Sequence, residues 1–180
     1  MNKEHTEQLF EKFPLIFPDR KFYFGCGDGW YNIIFIACAT IQSRINFSKT
    51  QSQIIIEFKE EQRKVLSGDY SPIHKNNPEK MKFYSDPEKM QRAIEHYSNT
   101  PKWMETHKEI PQVVAVQIKE KFGTLRFYVD YSDEYSRGVI DMAENMSART
   151  CETCGAEGTR RNGSWIRTLC DTHAEMDSRA

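Results

Sequence analysis

Long apolar runs, an excess of one charge and an even set of cysteines are all missing from this 180-residue sequence, and each absence removes a class of protein. The most apolar stretch, Ile33 to Ile41, has about half of the ~20 residues that a membrane-spanning helix needs. No membrane span is expected. Lys and Arg total 25 against 26 Asp and Glu, a formal charge of −1, so charge alone does not announce an extended nucleic-acid duplex as partner. The segment MNKEHTEQLFEKF is charged throughout and lacks the apolar run and small-residue cleavage site of a secretory signal, which predicts a cytoplasmic protein. Five cysteines cannot all pair, and a reducing compartment keeps Cys26 and Cys38 as thiols without an assigned role. No internal repeat or low-complexity tract is present. A composition of 38% hydrophobic and 28% charged residues suits one folded core with at most a small appended module.

Apolar spacing outlines the elements. Leu9, Phe10 and Phe13 predict a short helix over 6–13, stopped by Pro14 and Pro18. After an extended 21–24, Gly27-Asp28-Gly29 reads as a turn in which Asp28 caps the next helix. Trp30, Ile33, Ile34, Ala37, Ile41 and Ile45 recur at three and four residues and form the buried stripe of that helix, with Trp30 and Cys38 read as core. Residues 50–66 carry two signals: Ile54 to Ile56 favour a strand, while Ile54, Phe58 and Val65 among charges favour a helix, the preferred reading. About 67–111 reads as a mobile insertion, polar and turn-rich up to Tyr84, with a helix capped by Asp86-Pro87 running to about Tyr97.

Residues 113–131 predict an antiparallel hairpin turning at Phe122-Gly123. Ile118 falls opposite Phe127 and Val116 opposite Val129 on the inner face, with Gln117, Lys119, Lys121, Arg126 and Tyr128 outside. Phenylalanine disfavours a positive φ, so a longer loop of the same parity stays open. Ser132 or Asp133 then caps a helix whose expected buried stripe is Tyr135, Val139, Met142, Ala143 and Met146.

The strongest chemical signal lies in the last thirty residues, where Cys151-x2-Cys154 is followed, after fifteen residues, by Cys170-x2-His173. Two ligands three apart share a metal when the backbone between them curls, and two such pairs complete a tetrahedron; the spacing suits zinc-ribbon and treble-clef-like modules. Asn162-Gly163, midway, is a favoured two-residue hairpin turn. Four protein ligands leave no position for water or substrate, so the expected Zn2+ is structural and supplies most of the folding free energy of a segment with little apolar mass.

Lys119 opposite Arg126 is a like-charge pair that an anionic partner would relieve, with Lys121 and Tyr128 beside it and Arg160, Arg161 and Arg167 in the second hairpin extending the patch. A solvated sheet face neutralised by nearby acids is the competing reading. No nucleophile–histidine set, HExxH pair or carboxylate pair points to catalysis, and His74, His96 and His107 have no partners readable from spacing.

Three segments, FGCGDGWYNII, VVAVQIKEKFGTLRFYVDYSDEY and MSARTCETCGAEGTRRNGSWIRTLCDTHAE, together resemble a family of small proteins encoded by bacteriophages, prophages and some bacteria, with a KFG-x-LRFY hairpin before a Cys-Cys-Cys-His module. The resemblance covers about half of the chain and leaves 50–111 outside. It implies location in the bacterial host cytosol and an accessory role exerted by binding host machinery, defence systems included. The expectation is an α+β core over 1–148 with helices around a central hairpin, and a zinc module over 149–180. The leading function is a non-enzymatic protein that binds and blocks a host protein; binding of a nucleic acid or small nucleotide by the same basic and aromatic face is the alternative.

Overall fold

The computed structural model describes residues 1–74, 85–163 and 165–177 and mixes helices with two small sheets. In chain order the elements are α1 (Lys3–Lys12), β1 (Phe24–Gly25), a 3-10 turn (Asp28–Trp30), α2 (Tyr31–Leu66), α3 (Ser71–His74), α4 (Pro87–Ser98), α5 (Lys102–Thr106), β2 (Ala115–Lys121), β3 (Thr124–Val129), α6 (Glu134–Ser147), β4 (Thr159–Arg161), β5 (Arg167–Leu169) and α7 (Asp171–Asp177). Contacts group the chain into two compact units, Met1–Asn46 with Ile110–Ala180, and Phe47–Glu109. The boundary expected at 148 is not where this grouping divides the chain: the Cys/His segment clusters with the core.

In the first unit the expected stripe of α2 is buried, with Trp30, Ile34, Ile41 and Ile45 fully so. Phe10, Phe17, Phe22 and Phe24 add an aromatic cluster with centroids 5.0–6.1 Å apart, edge-on except for the tilted Phe10–Phe24 pair, geometry that aromatic quadrupoles favour. The sheet order is β1-β2-β3, with β1 parallel and β3 antiparallel to the central strand. Ile118 faces Phe127 and Lys119 faces Arg126 as expected. Val116, however, is 61% exposed and Ala115 takes its place opposite Val129, because an irregularity between Ala115 and Gln117 inserts a residue and shifts the parity. The turn is the two-residue form after all. Phe122 adopts φ +53° and Gly123 φ +80°, with Lys121 paired to Thr124.

Asp133 caps α6 by accepting the Ser136 N–H at 2.8 Å. The expected buried stripe needs correction: Ser136, Val139, Ile140, Ala143 and Ser147 are buried, while Tyr135, Met142 and Met146 are about half exposed. The helix is turned by the needs of an edge strand. β3 has two outward N–H groups to satisfy; Leu125 donates to Ser147 Oγ at 2.8 Å and Phe127 to Glu144 Oε1 at 2.9 Å, so the helix presents that polar face.

The second unit contains the distal part of α2, so residues 50–66 are helical and the isoleucine run is not a strand. Ile55 is buried while Ile54 and Ile56 are exposed, the pattern of a helix with one face covered. Asp86 caps α4 and Pro87 opens it. Phe58 stacks on Tyr97 at 5.7 Å, and Gln62 donates to the Tyr97 carbonyl at 2.6 Å. The described part of the expected insertion therefore carries helices tied to α2; residues 75–84 lie outside the described residues. No helix among those described is long and apolar enough to cross a membrane.

Candidate metal centre

Cys151, Cys154, Cys170 and His173 converge, with one ligand atom of each lying within 4.8 Å of all the others. Cys154 and Cys170 sulfurs are 3.9 Å apart, and His173 Nδ1 lies 3.6 Å from Cys151 Sγ and 3.1 Å from Cys170 Sγ. Metal–sulfur bonds of ~2.3 Å at tetrahedral angles put two sulfurs ~3.8 Å apart, so the donor set can hold one metal ion.

The backbone explains the convergence. Cys151 N donates to the Ala156 carbonyl at 2.7 Å and Gly155 N to the Cys151 carbonyl at 2.9 Å, with Gly155 at φ +80°, so the chain curls around the first pair. Cys170 ends β5 and His173 lies in the first turn of α7, where Ala174 N donates to the Cys170 carbonyl at 2.9 Å. Burial raises the cost of ionising Cys151, but backbone N–H groups of Cys170, Cys154 and Thr153 outweigh it and bring the thiol down to about 6. That favours the thiolate a metal needs. Cys26 and Cys38 contrast with it: burial pushes Cys26 up to about 12 and raises Cys38 as well. Both are buried thiols of the core.

The two-residue turn expected at Asn162-Gly163 is absent. Arg161 pairs with Arg167, so the loop spans 162–166, with Ser164 outside the described residues.

Sequence reasoning missed what holds this segment against the core. Gly29 N donates to the Glu152 carbonyl at 2.8 Å, Gly27 N to Glu152 Oε1 at 3.0 Å, and Trp30 Nε1 to the Thr150 carbonyl at 2.8 Å. A Cβ on Gly29 would lie 2.1 Å from the Cys151 carbonyl oxygen, and one on Gly27 would lie 2.2 Å from that of Glu152. These glycines permit close approach rather than a turn. Asp28 is not a helix cap either: its Oδ1 accepts from Asn2 N at 2.6 Å and faces His5 Nδ1 at 3.2 Å. Burial opposes its charge, yet the Asn2 N–H and His5 hold its carboxyl below the usual range. Glu152, by contrast, is raised, chiefly by burial. The other contact is the tip of the β2–β3 hairpin, where Thr168 Oγ1 donates to the Gly123 carbonyl at 2.6 Å. The one signal in the sequence was the pair of glycines around Asp28, next to a tryptophan.

The basic residues are spread over two hairpins. Lys119 Nζ sits 5.9 Å from the Tyr128 ring and Lys121 Nζ 5.6 Å from Phe122. Arg126 pairs with Glu144 at 3.5 Å, Arg161 with Asp171 at 2.5 Å, and Arg167 with Asp177 at 3.0 Å and Glu152 at 3.6 Å; Arg160 is exposed. Of the histidines, His107 Nε2 meets Ser52 Oγ at 3.0 Å in the second unit, and among the described residues no carboxylate hydrogen-bonds it. His96 lies edge-on to Phe58. No protein-family model matches the sequence, and no curated protein or solved structure is significantly similar to it.

Proposed function

We propose that the four ligands hold a structural zinc ion in a treble-clef-like module, and that the chain is a non-enzymatic, phage-type accessory protein that binds and blocks a host protein. The order knuckle, hairpin, helix start supports the module, and borderline-soft zinc suits three thiolates and an imidazole better than hard cations do. A donor set this complete leaves no ligand position for chemistry.

The observation that carries the binding role is Phe122. It is 62% exposed, at a positive φ that costs about 1 kcal/mol in a residue with a Cβ, on a tip held by Thr168 Oγ1 and by Glu120 Oε1, which accepts the Gly123 N–H at 2.6 Å. Strain kept on an exposed aromatic points to recognition, since such side chains dominate the energetics of protein interfaces. Lys119, Lys121 and Tyr128 adjoin it. Acidic partners for Arg126, Arg161 and Arg167 reduce the free cationic surface, which favours a protein over nucleic acid.

A photo-crosslinking amino acid placed at Val116 in a bacterial host tests this reading. A protein partner captured there, and lost with Phe122→Ala or with Lys119→Glu combined with Lys121→Glu, is expected; capture unchanged by all of these rejects the surface. Lysines beside two exposed aromatic rings are also how single strands are gripped. In that case affinity would fall steeply with salt, whereas an apolar protein interface changes little.

A further inference from the structure

Beside the metal centre, and not used by the reading above, lies a cavity of about 450 Å³ between α2 and α6. Its long walls are apolar, formed among others by Ile33 and Ile36 on one side and Met142 and Met146 on the other. Met142 and Met146 are the residues whose exposure departs from the expected stripe of α6, at 54% and 48%. One end is polar, where Asp28 and Asn32 meet the cavity. The volume falls within the ~300–1,000 Å³ typical of small-molecule sites, and an apolar body with few convergent polar groups is their usual composition.

Charge narrows the ligand. Among the described residues that line the cavity there is no lysine or arginine; Asp28 is the carboxylate, and His5, which also lines it, faces Asp28 Oδ1 at 3.2 Å. Both hydrogen bonds to Asp28, from Asn2 N and His5 Nδ1, go to Oδ1, which leaves Oδ2 without a hydrogen bond among the described residues. Asp28 thus gives the cavity a carboxylate with one oxygen not hydrogen-bonded among the described residues. Methionines, flexible and polarisable, line the open side and adapt to varied apolar shapes.

We infer that this cavity binds a small organic cation with an apolar body, its ammonium on Asp28 Oδ2 and its hydrocarbon or aromatic part between Ile36 and Met142. A charge-assisted hydrogen bond in such a slot separates an amine from an isosteric neutral ligand by about tenfold or more.

The test uses the full chain labelled with 13C at methionine methyls and three probes of one shape: 1-naphthylmethylamine, 1-naphthylmethanol and 1-naphthoic acid. The amine is expected to shift the Met142 and Met146 signals and to bind at least about tenfold more tightly than the alcohol and the acid. Asp28→Asn should remove that preference. Because Asp28 also anchors the start of α1, Met142→Lys at a half-exposed position provides a second variant, expected to abolish amine binding with the fold intact. Absence of shifts with all three probes at millimolar concentration, or an alcohol or acid that binds as well as the amine, overturns the assignment.

Discussion

Residues 115–147 and 159–177 each form an antiparallel strand pair followed by a helix, and the forces that hold the two are different. β2 and β3 run seven and six residues, bury Ala115, Ile118, Leu125 and Phe127, and lead into a 14-residue helix with Val139, Ile140 and Ala143 inside. β4 and β5 have three residues each, only Thr168 and Leu169 of them are buried, and the 7-residue α7 buries none. The first arrangement rests on apolar area, at about 25 cal/mol per Å². The second has too little of it. Its backbone abuts Gly27 and Gly29, and a metal ion on the four converging ligands is proposed to supply the rest, as small modules require.

Experiments on the two arrangements separate these forces. Metal removal should have the largest effect, since binding free energies at such donor sets are on the order of 10 kcal/mol. With chelator, or in Cys170→Ser, hydrogen exchange should rise throughout 149–177 while Trp30–Ile45 and β2–β3 keep most of their protection. Uniform exchange across both regions would show that the second arrangement also underwrites the first. Elemental analysis of protein purified without added metal should give one zinc per chain.

Next comes Gly29→Ala, whose Cβ would be driven against the Cys151 carbonyl at 2.1 Å and the Gly155 nitrogen at 2.5 Å. Backbone must move, at a cost of about 3–5 kcal/mol in denaturant melts, and metal should dissociate faster. Gly138→Ala, in α6 with nothing within 4 Å of the added Cβ, is the control and should stabilise by up to about 1 kcal/mol. Leu125→Ala probes the apolar arrangement alone: a fully buried leucine should cost about 2–5 kcal/mol without changing metal affinity. The smallest effect belongs to Phe122→Asn, which suits the positive φ and should raise stability by about 0.5–1 kcal/mol while weakening partner capture. A loss of stability there would remove the argument that Phe122 is kept for binding.

Legibility followed the range of the interactions. The α2 stripe, the Asp86 and Asp133 caps, the Ile118–Phe127 register and the metal-ligand spacing each lie within one short stretch of chain and can be read from period or spacing. Val116 and the face of α6 could not be read in this way. The first depends on a bulge, and the second on Ser147 and Glu144 reaching the β3 edge, a demand made by a partner across the fold.

Ligand chemistry and helical period are local properties, so the residues able to ligate a metal and the apolar stripe of α2 are readable along the chain. Folding in three dimensions sets where the Cys/His segment rests, gives Gly27 and Gly29 their role in close packing, and turns Asp28 to a cavity instead of a helix cap. Each of these depends on atoms more than a hundred residues apart, or on space left between two helices, and no pattern along the chain encodes an empty volume or a distant carbonyl.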